Sequence, residues 1–262
     1  MPILLVILAA VSCKTEQKKD MMKNEKKGGI KVEKTVGIGR LQVSLNKAIP
    51  LYRTAQDAIP FDTIHFSVCE AGRQKGSFLA VRASTDTLSP MSFYKGDSEK
   101  EAEENINSGL VYFAPQLVFR MTALTNSGFE VVLNEDTFEV AFVKQDEHRT
   151  LYTKGEQYWQ MNHNSSPHDH PWFLCEQWED YFKRIWYTYS TEAQLYDSPD
   201  GTLSYSSPYY GYFRIKRLMG EWAEVEIQHT YWEEEDKFPK EGWIRWTDGK
   251  TLLVDPIEER YE

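Results

Sequence analysis

Cysteine is scarce in this 262-residue chain, and its three residues, Cys13, Cys69 and Cys175, exclude a disulfide framework. An oxidising compartment would allow at most one bridge between Cys69 and Cys175 once Cys13 is set aside. The apolar run at residues 3–11 is too short to span a bilayer, because charge returns at Lys14 and a transmembrane helix needs about 20 apolar residues. The sequence has no phosphate-binding glycine loop, no Gly-x-Ser-x-Gly elbow and no Cys-x-x-Cys metal pair. Positive charge is in deficit, with a net charge of −10, which disfavours nucleic acid and anionic membrane as partners.

The uncharged segment 1–12 reads as the apolar core of a signal peptide. It ends in Ala9-Ala10-Val11-Ser12-Cys13. Small residues before a cysteine resemble a bacterial lipobox, although Ala10 stands where that pattern prefers leucine and no Lys or Arg precedes the core. The resemblance implies cleavage before Cys13 and acylation of its thiol. Residues 13–39 follow with eight Lys and four acidic residues, a composition that buries no core and suits an extended tether. The tether carries +4 and the remaining body −14.

The body reads as mainly β. Ala223, Val225 and Ile227 alternate with polar residues, the period of a strand with one buried face. A second strand, 213–218, precedes it across Met219-Gly220, while Asp248-Gly249 marks a tight turn into Leu252-Leu253-Val254. Leu195-Tyr196-Asp197-Ser198-Pro199, the strand pair around Gly220, and Glu241-Gly242-Trp243-Ile244 occur in the order typical of bacterial SH3-like domains. The region from about Trp186 to Pro256 resembles that family, which implies a small β-barrel that binds peptides or peptidoglycan.

Residues 119–133 align without gaps on 213–227, with five of 15 pairs identical, where average residue usage gives roughly one by chance. The opening recurs as Pro50-Leu51-Tyr52-Arg53, and Ala141-Phe142-Val143-Lys144 aligns with 243–246. The expected architecture is two SH3-like barrels. The first, 40–152, carries an insertion at about 62–116 with strands at 64–68 and 78–82 and a short charged helix at 97–105. A connector, 153–185, holds a helix over 171–185 capped by Asp169, and the second barrel is 186–262.

Candidate chemistry is sparse. His163, His168 and His170 share a polar loop whose imidazoles could converge on zinc or copper, but a solvated loop explains them better. Cys175 lies near His168 and His170 in sequence, which raises a cell-wall hydrolase or metal-dependent enzyme as the alternative function. Its neighbours Leu174 and Glu176 would raise rather than lower a thiol pKa. The expected function is therefore non-catalytic binding of an envelope peptide, peptidoglycan or protein, without a cofactor, at a membrane reached through the lipid alone. A structural subunit of an envelope assembly is a third reading. Tyr196, Tyr209, Tyr210, Trp232 and Trp246 are the expected ligand-contacting rings.

Protein taken from a bacterial membrane fraction is expected to carry a diacyl or triacyl, palmitate-class mass on Cys13. Cys13→Ser protein should move to the soluble fraction, and retention at the wild-type level would refute the anchor.

Overall fold

Short segments that alternate polar and apolar residues, or that are apolar throughout, form strands along most of the chain. The computed structural model describes residues 29–68, 79–83, 88–94, 116–162, 170–185, 187–190, 193–207, 211–228 and 239–257. The first half contains β1 (Ile30–Lys31), β2 (Gly39–Val43), β3 (Ile49–Leu51), β4 (Asp62–Val68), β5 (Leu79–Ala83), β6 (Ser92–Tyr94), β7 (Gln116–Thr125), β8 (Gly128–Asn134) and β9 (Glu139–Lys144). It is followed by β10 (Thr150–Tyr152), α1 (Gly155–Asn162), β11 (Trp172–Gln177) and α2 (Trp178–Arg184). The second half contains β12 (Tyr187–Ser190), β13 (Ala193–Tyr196), β14 (Leu203–Ser207), β15 (Gly211–Met219), β16 (Trp222–Gln228), β17 (Glu241–Arg245) and β18 (Asp255–Ile257).

The first sheet has the order β1-β9-β8-β7-β2-β11-β10 with β6 also on β7, the second has β14-β13-β17-β16-β15-β12-β18, and a small sheet has β3-β4-β5. The fold is mainly β, as expected. The two closed barrels are not: both large sheets remain open. Closing a barrel requires the edge strands to pair, and β18 is a three-residue edge held by β12, with Pro256 supplying no N–H for a further neighbour.

The gapless match at an offset of 94 proves to be a match of hairpins. In the first, Met121 pairs with Val131, Ala123 with Glu130 and Leu124 with Phe129, with a bulge between Met121 and Ala123. In the second, Ile215 pairs with Val225, Arg217 with Glu224 and Leu218 with Ala223, with the bulge between Ile215 and Arg217. Register and bulge are the same. The third strand needs a correction of one residue: Phe142 faces Glu130 and Trp243 faces Glu224, so 141–144 corresponds to 242–245. A one-residue slip reverses which face each side chain occupies. The opening also recurs, because Tyr52 bridges Phe142 and Tyr196 pairs with Trp243.

Each unit buries the same inner positions: Leu51, Phe119, Met121, Phe129, Val131 and Val143 in the first, and Leu195, Phe213, Ile215, Ala223, Val225 and Ile244 in the second. Ala223 fills far less space than Phe129, and α2 makes up the difference. Trp178, Tyr181, Phe182 and Ile185 all join the second core, where Trp178 stacks on Phe182 at 5.9 Å and Phe182 meets Trp246 edge-on at 5.6 Å.

Three expected boundaries move. The helix expected over 171–185 is helical only from Trp178. Residues 172–176 are buried throughout, as in an interior strand, and β11 pairs antiparallel with β2 and parallel with β10. The proposed cap Asp169 and the charged stretch 97–105 lie outside the described residues. Within the expected connector 153–185, β11 belongs to the first sheet. The C-terminal part of the expected tether is docked: Ile30 and Lys31 pair with Val140 and Glu139, Val36 N–H donates to Gly249 O at 2.9 Å, and Ile38 N–H donates to Met121 O at 2.8 Å. The high lysine content of the segment masked the apolar side chains Ile30, Val32, Val36 and Ile38. The strands expected at 64–68 and 78–82 form as β4 and β5.

Phe182→Ala, which empties the centre of the second core, is expected to destabilise the chain by about 3–5 kcal/mol. Lys183→Ala, on the exposed face of the same helix, should leave the urea midpoint nearly unchanged, and equal losses from the two substitutions would refute this packing role.

Candidate ligand groove

The loop from β13 to β14 is built by its turn residues. Asp197 N–H donates to Thr202 O at 3.1 Å, and Asp197 Oδ1 accepts from Thr202 N–H at 2.9 Å. A Cβ at Gly201 would lie 2.1 Å from Asp197 Oδ1, so a larger residue there would have to displace the carboxylate that holds Thr202. Across the sheet, Asp248 Oδ1 accepts from the amides of Lys250 and Thr251 at 2.8 and 2.6 Å. These bonds hold the Asp248 carboxyl below its ordinary pKa, the Thr251 amide contributing most. Leu253 N–H donates to Trp246 O at 2.8 Å, so the turn brings Leu253 and Val254 back beside β17.

Between these segments lies a groove of about 270 Å³ lined by Ser190, Gln194, Tyr196, Ile244, Arg245, Leu253 and Val254. Its inner wall is apolar, with Ile244 and Val254 buried and Leu253 exposed at the rim. Tyr196 is half-buried; its ring meets the Trp222 ring edge-on at 4.9 Å, and its hydroxyl donates to Gln194 Oε1 at 3.4 Å. The Arg245 guanidinium pairs with Glu221 at the surface, where both side chains are about half exposed. Among the described residues the lining therefore holds one cation and no carboxylate, although the body as a whole is strongly acidic. Such a surface suits an aliphatic group beside a carboxylate, which a guanidinium fork can bind bidentately.

Of the rings expected to contact ligand, Tyr196 lines this groove. Trp246 does not, and that expectation is corrected: it is 5 % exposed, its Nε1–H donates to Gly220 O at 2.9 Å, and its ring packs on Trp178 and Phe182. The strand ends at Arg245, and the Trp246 amide bonds to Glu221 O. Gly220, in the left-handed region at φ 60°, makes the turn that presents both carbonyls. Tyr209, Tyr210 and Trp232 lie outside the described residues, as do Cys13, Cys69, His163 and His168. Sequence reasoning missed Ser190, Gln194, Arg245 and the Leu253-Val254 pair, which come from four separated segments; only the Asp248-Gly249 turn hinted that two of these segments meet.

Of the residues raised for an enzymatic reading, Cys175 and His170 are described, and neither lines this groove. Cys175 carries a free thiol in the core of the first unit, with Sγ 3.6 Å from Met121 Sδ. Burial, and then the neighbouring Glu176 carboxylate, push its pKa up to about 11, which disfavours the thiolate a nucleophile needs. His170 Nε2 lies 3.2 Å from the Tyr152 hydroxyl. Among the described residues no cluster of His, Cys, Asp and Glu is arranged to hold a metal ion, and no helix is long and apolar enough to cross a membrane.

No family model, curated protein or solved structure matches the chain.

In native protein carrying Cys13→Ser and Cys69→Ser, Cys175 is expected to resist an alkylating reagent at pH 8, because a raised pKa leaves the thiol protonated until the pH approaches about 11. Labelling should become fast in denaturant. Rapid labelling of the folded chain would overturn the burial.

Proposed function

We propose that this chain is a non-catalytic bacterial envelope protein, lipid-anchored at Cys13, whose second unit is an SH3-like module that binds peptide. The favoured ligand is a peptidoglycan stem or another short envelope peptide with a free carboxylate. The observation that carries this reading is the groove beside Tyr196, with an aliphatic wall, an aromatic side and Arg245 at its rim. The three sequence pieces of the SH3-like resemblance support it by their adjacency: β17, with Gly242-Trp243-Ile244, pairs on one side with β13, which contains Leu195-Tyr196, and on the other with the β15–β16 hairpin. A small apolar side chain of the ligand would rest on Ile244, Leu253 and Val254, and its carboxylate would compete with Glu221 for Arg245. The Arg245–Glu221 pair is solvent-exposed, and pairs of this kind contribute only about 0–1 kcal/mol, so exchanging one carboxylate for another costs little. Among the described residues of this lining no nucleophile has a base in reach, and the proposed role is capture rather than cleavage.

The test is titration of the full chain carrying Cys13→Ser with a fluorescein-labelled peptidoglycan stem pentapeptide. Tyr196→Ala is expected to weaken binding by about 1–3 kcal/mol, roughly five- to 150-fold. Arg245→Ala should weaken it and flatten its salt dependence, and amidating the peptide's C-terminus should do the same. Trp246→Phe, in the core, should leave affinity unchanged in folded protein. Turnover of the peptide, or affinity indifferent to both groove substitutions, would refute the proposal. A fragment starting at residue 186 is unsuitable for this test, because it lacks α2 and with it part of the second core.

A further inference from the structure

We infer that, among the described residues, the ligand groove stands open in the second unit and the corresponding groove of the first unit is filled from within by Arg149 and Phe173. For the ligand's identity this rests on the peptide reading above; for the asymmetry it rests on geometry alone.

The strand registers fix which residues correspond. Phe119 faces Leu41 and its counterpart Phe213 faces Thr188, so Thr188 stands for Leu41 and Ser190 for Val43. Leu41 in turn faces Cys175 and Thr188 faces Pro256, which makes Val254 the counterpart of Phe173. The third strands make Ile244 the counterpart of Val143 and Arg245 that of Lys144. Tyr196 stands for Tyr52 through their bridges to Trp243 and Phe142. The groove walls are thus present twice.

In the first unit the space between them is occupied. Phe173 supplies a whole ring where the second unit has valine, and it packs edge-on against Phe129 at 5.4 Å. The Arg149 guanidinium lies 4.8 Å over the Phe173 ring. It donates to Ser44 Oγ at 3.1 Å, to Ala48 O at 3.2 Å and to Lys47 O. These acceptors belong to the segment that follows Val43, beside the position where the second groove opens. Arg149 is 6 % exposed; a cation so deeply buried needs its hydrogen bonds satisfied, and the loop carbonyls do so. The rim is closed as well. Lys144, the counterpart of Arg245, lies 4.3 Å over the Tyr52 ring and donates to Asp57 O at 2.6 Å. In the second unit, by contrast, Arg245 turns outward to Glu221 and Val254 leaves the wall open.

The test uses the full chain carrying Cys13→Ser and two probes read by amide and methyl NMR shifts. Isopropanol at a few per cent, which enters any open apolar groove, is expected to shift Tyr196, Ile244 and Leu253 and to leave Tyr52, Val143 and Phe173 unmoved. The labelled stem pentapeptide should bind with a stoichiometry of one and shift the same set. Val254→Phe, which places the first unit's ring in the second groove, should weaken that binding at least about tenfold and abolish the isopropanol shifts while the protein stays folded. Arg149→Lys keeps a buried cation and should leave peptide affinity unchanged. Isopropanol shifts in the first unit, shifts in neither unit, or a stoichiometry of two would overturn the asymmetry. Isopropanol shifts confined to the second unit with no peptide binding would uphold the asymmetry and refute the peptide ligand instead.

Discussion

The placement of α2 is the contact on which the second half of the structure depends. An open antiparallel sheet must bury its apolar face against something, and the inner face of this one is thin, with Ala223 at a position where its counterpart carries Phe129. Trp178, Tyr181, Phe182 and Ile185 supply the missing volume. The helix has only seven residues, too few for independent stability, so its position is fixed by its ends and sides. Trp178 Nε1–H bonds to the carbonyls of Val36 and Gly37 at 3.1 Å. Arg184 makes two bonds of 2.8 Å to Glu176, a side chain that is 1 % exposed. Arg40 places its guanidinium 4.2 Å over the Tyr181 ring. Removing one partner from a buried pair such as Glu176–Arg184 typically costs about 3–5 kcal/mol, because the other charge is stranded, whereas an apolar replacement of both is often neutral. The pair therefore contributes orientation more than net stability, and the aromatic face contributes the stability.

The two units show how one pattern diverges through the exchange of large and small residues. Volume is conserved in a core more strictly than identity. Phe129 and Phe173 fill the first unit with their own rings, and the space left over accepts one arginine. Ala223 and Val254 leave space in the second, which α2 fills from one side and which stays open as a groove beside Tyr196. The bulge at Thr122 and at Lys216 survives in both, as expected of a feature that sets the local twist and the face on which later residues fall.

Much of this was legible in the sequence, and the failures have particular causes. Val131 and Val225 lie inward because period-two alternation is a direct consequence of strand geometry, and the 94-residue offset was found because both hairpins keep their length. The third strand lies one residue away from its sequence alignment, because only hydrogen-bond pairing separates the end of the strand at Arg245 from the turn beyond it. Residues 172–185 satisfy a helical spacing, yet Trp172-Phe173-Leu174-Cys175 is apolar on every side and has no period to read, and its two neighbours β2 and β10 decide that this part is a strand. Arg245, Leu253 and Arg149 could not be found from the sequence, since their significance arises from contacts between segments far apart in the chain. Trp246 was misassigned for the converse reason: an aromatic at the end of a strand reads as a surface ring until the helix that covers it is known.

The docking of residues 29–38 also changes what the proposed anchor can do. A tether reaching from Cys13 to Gly39 would have allowed the body to stand far from a bilayer, but β1 is already held by Val140 and Glu139. With the lipid at Cys13, only residues 13–28 separate the acyl chains from the first docked residue. At roughly 3.3–3.6 Å per fully extended residue, those 16 residues reach at most about 55 Å. Six of the residues in this segment are lysines, which at the proposed anchor would draw it toward anionic headgroups, while the body from Arg40 onward carries −14 and would be repelled by them. Were the chain anchored at Cys13 as proposed, attraction at the base and repulsion above would favour a body held off the surface, with residue 29 no further from the membrane than that reach.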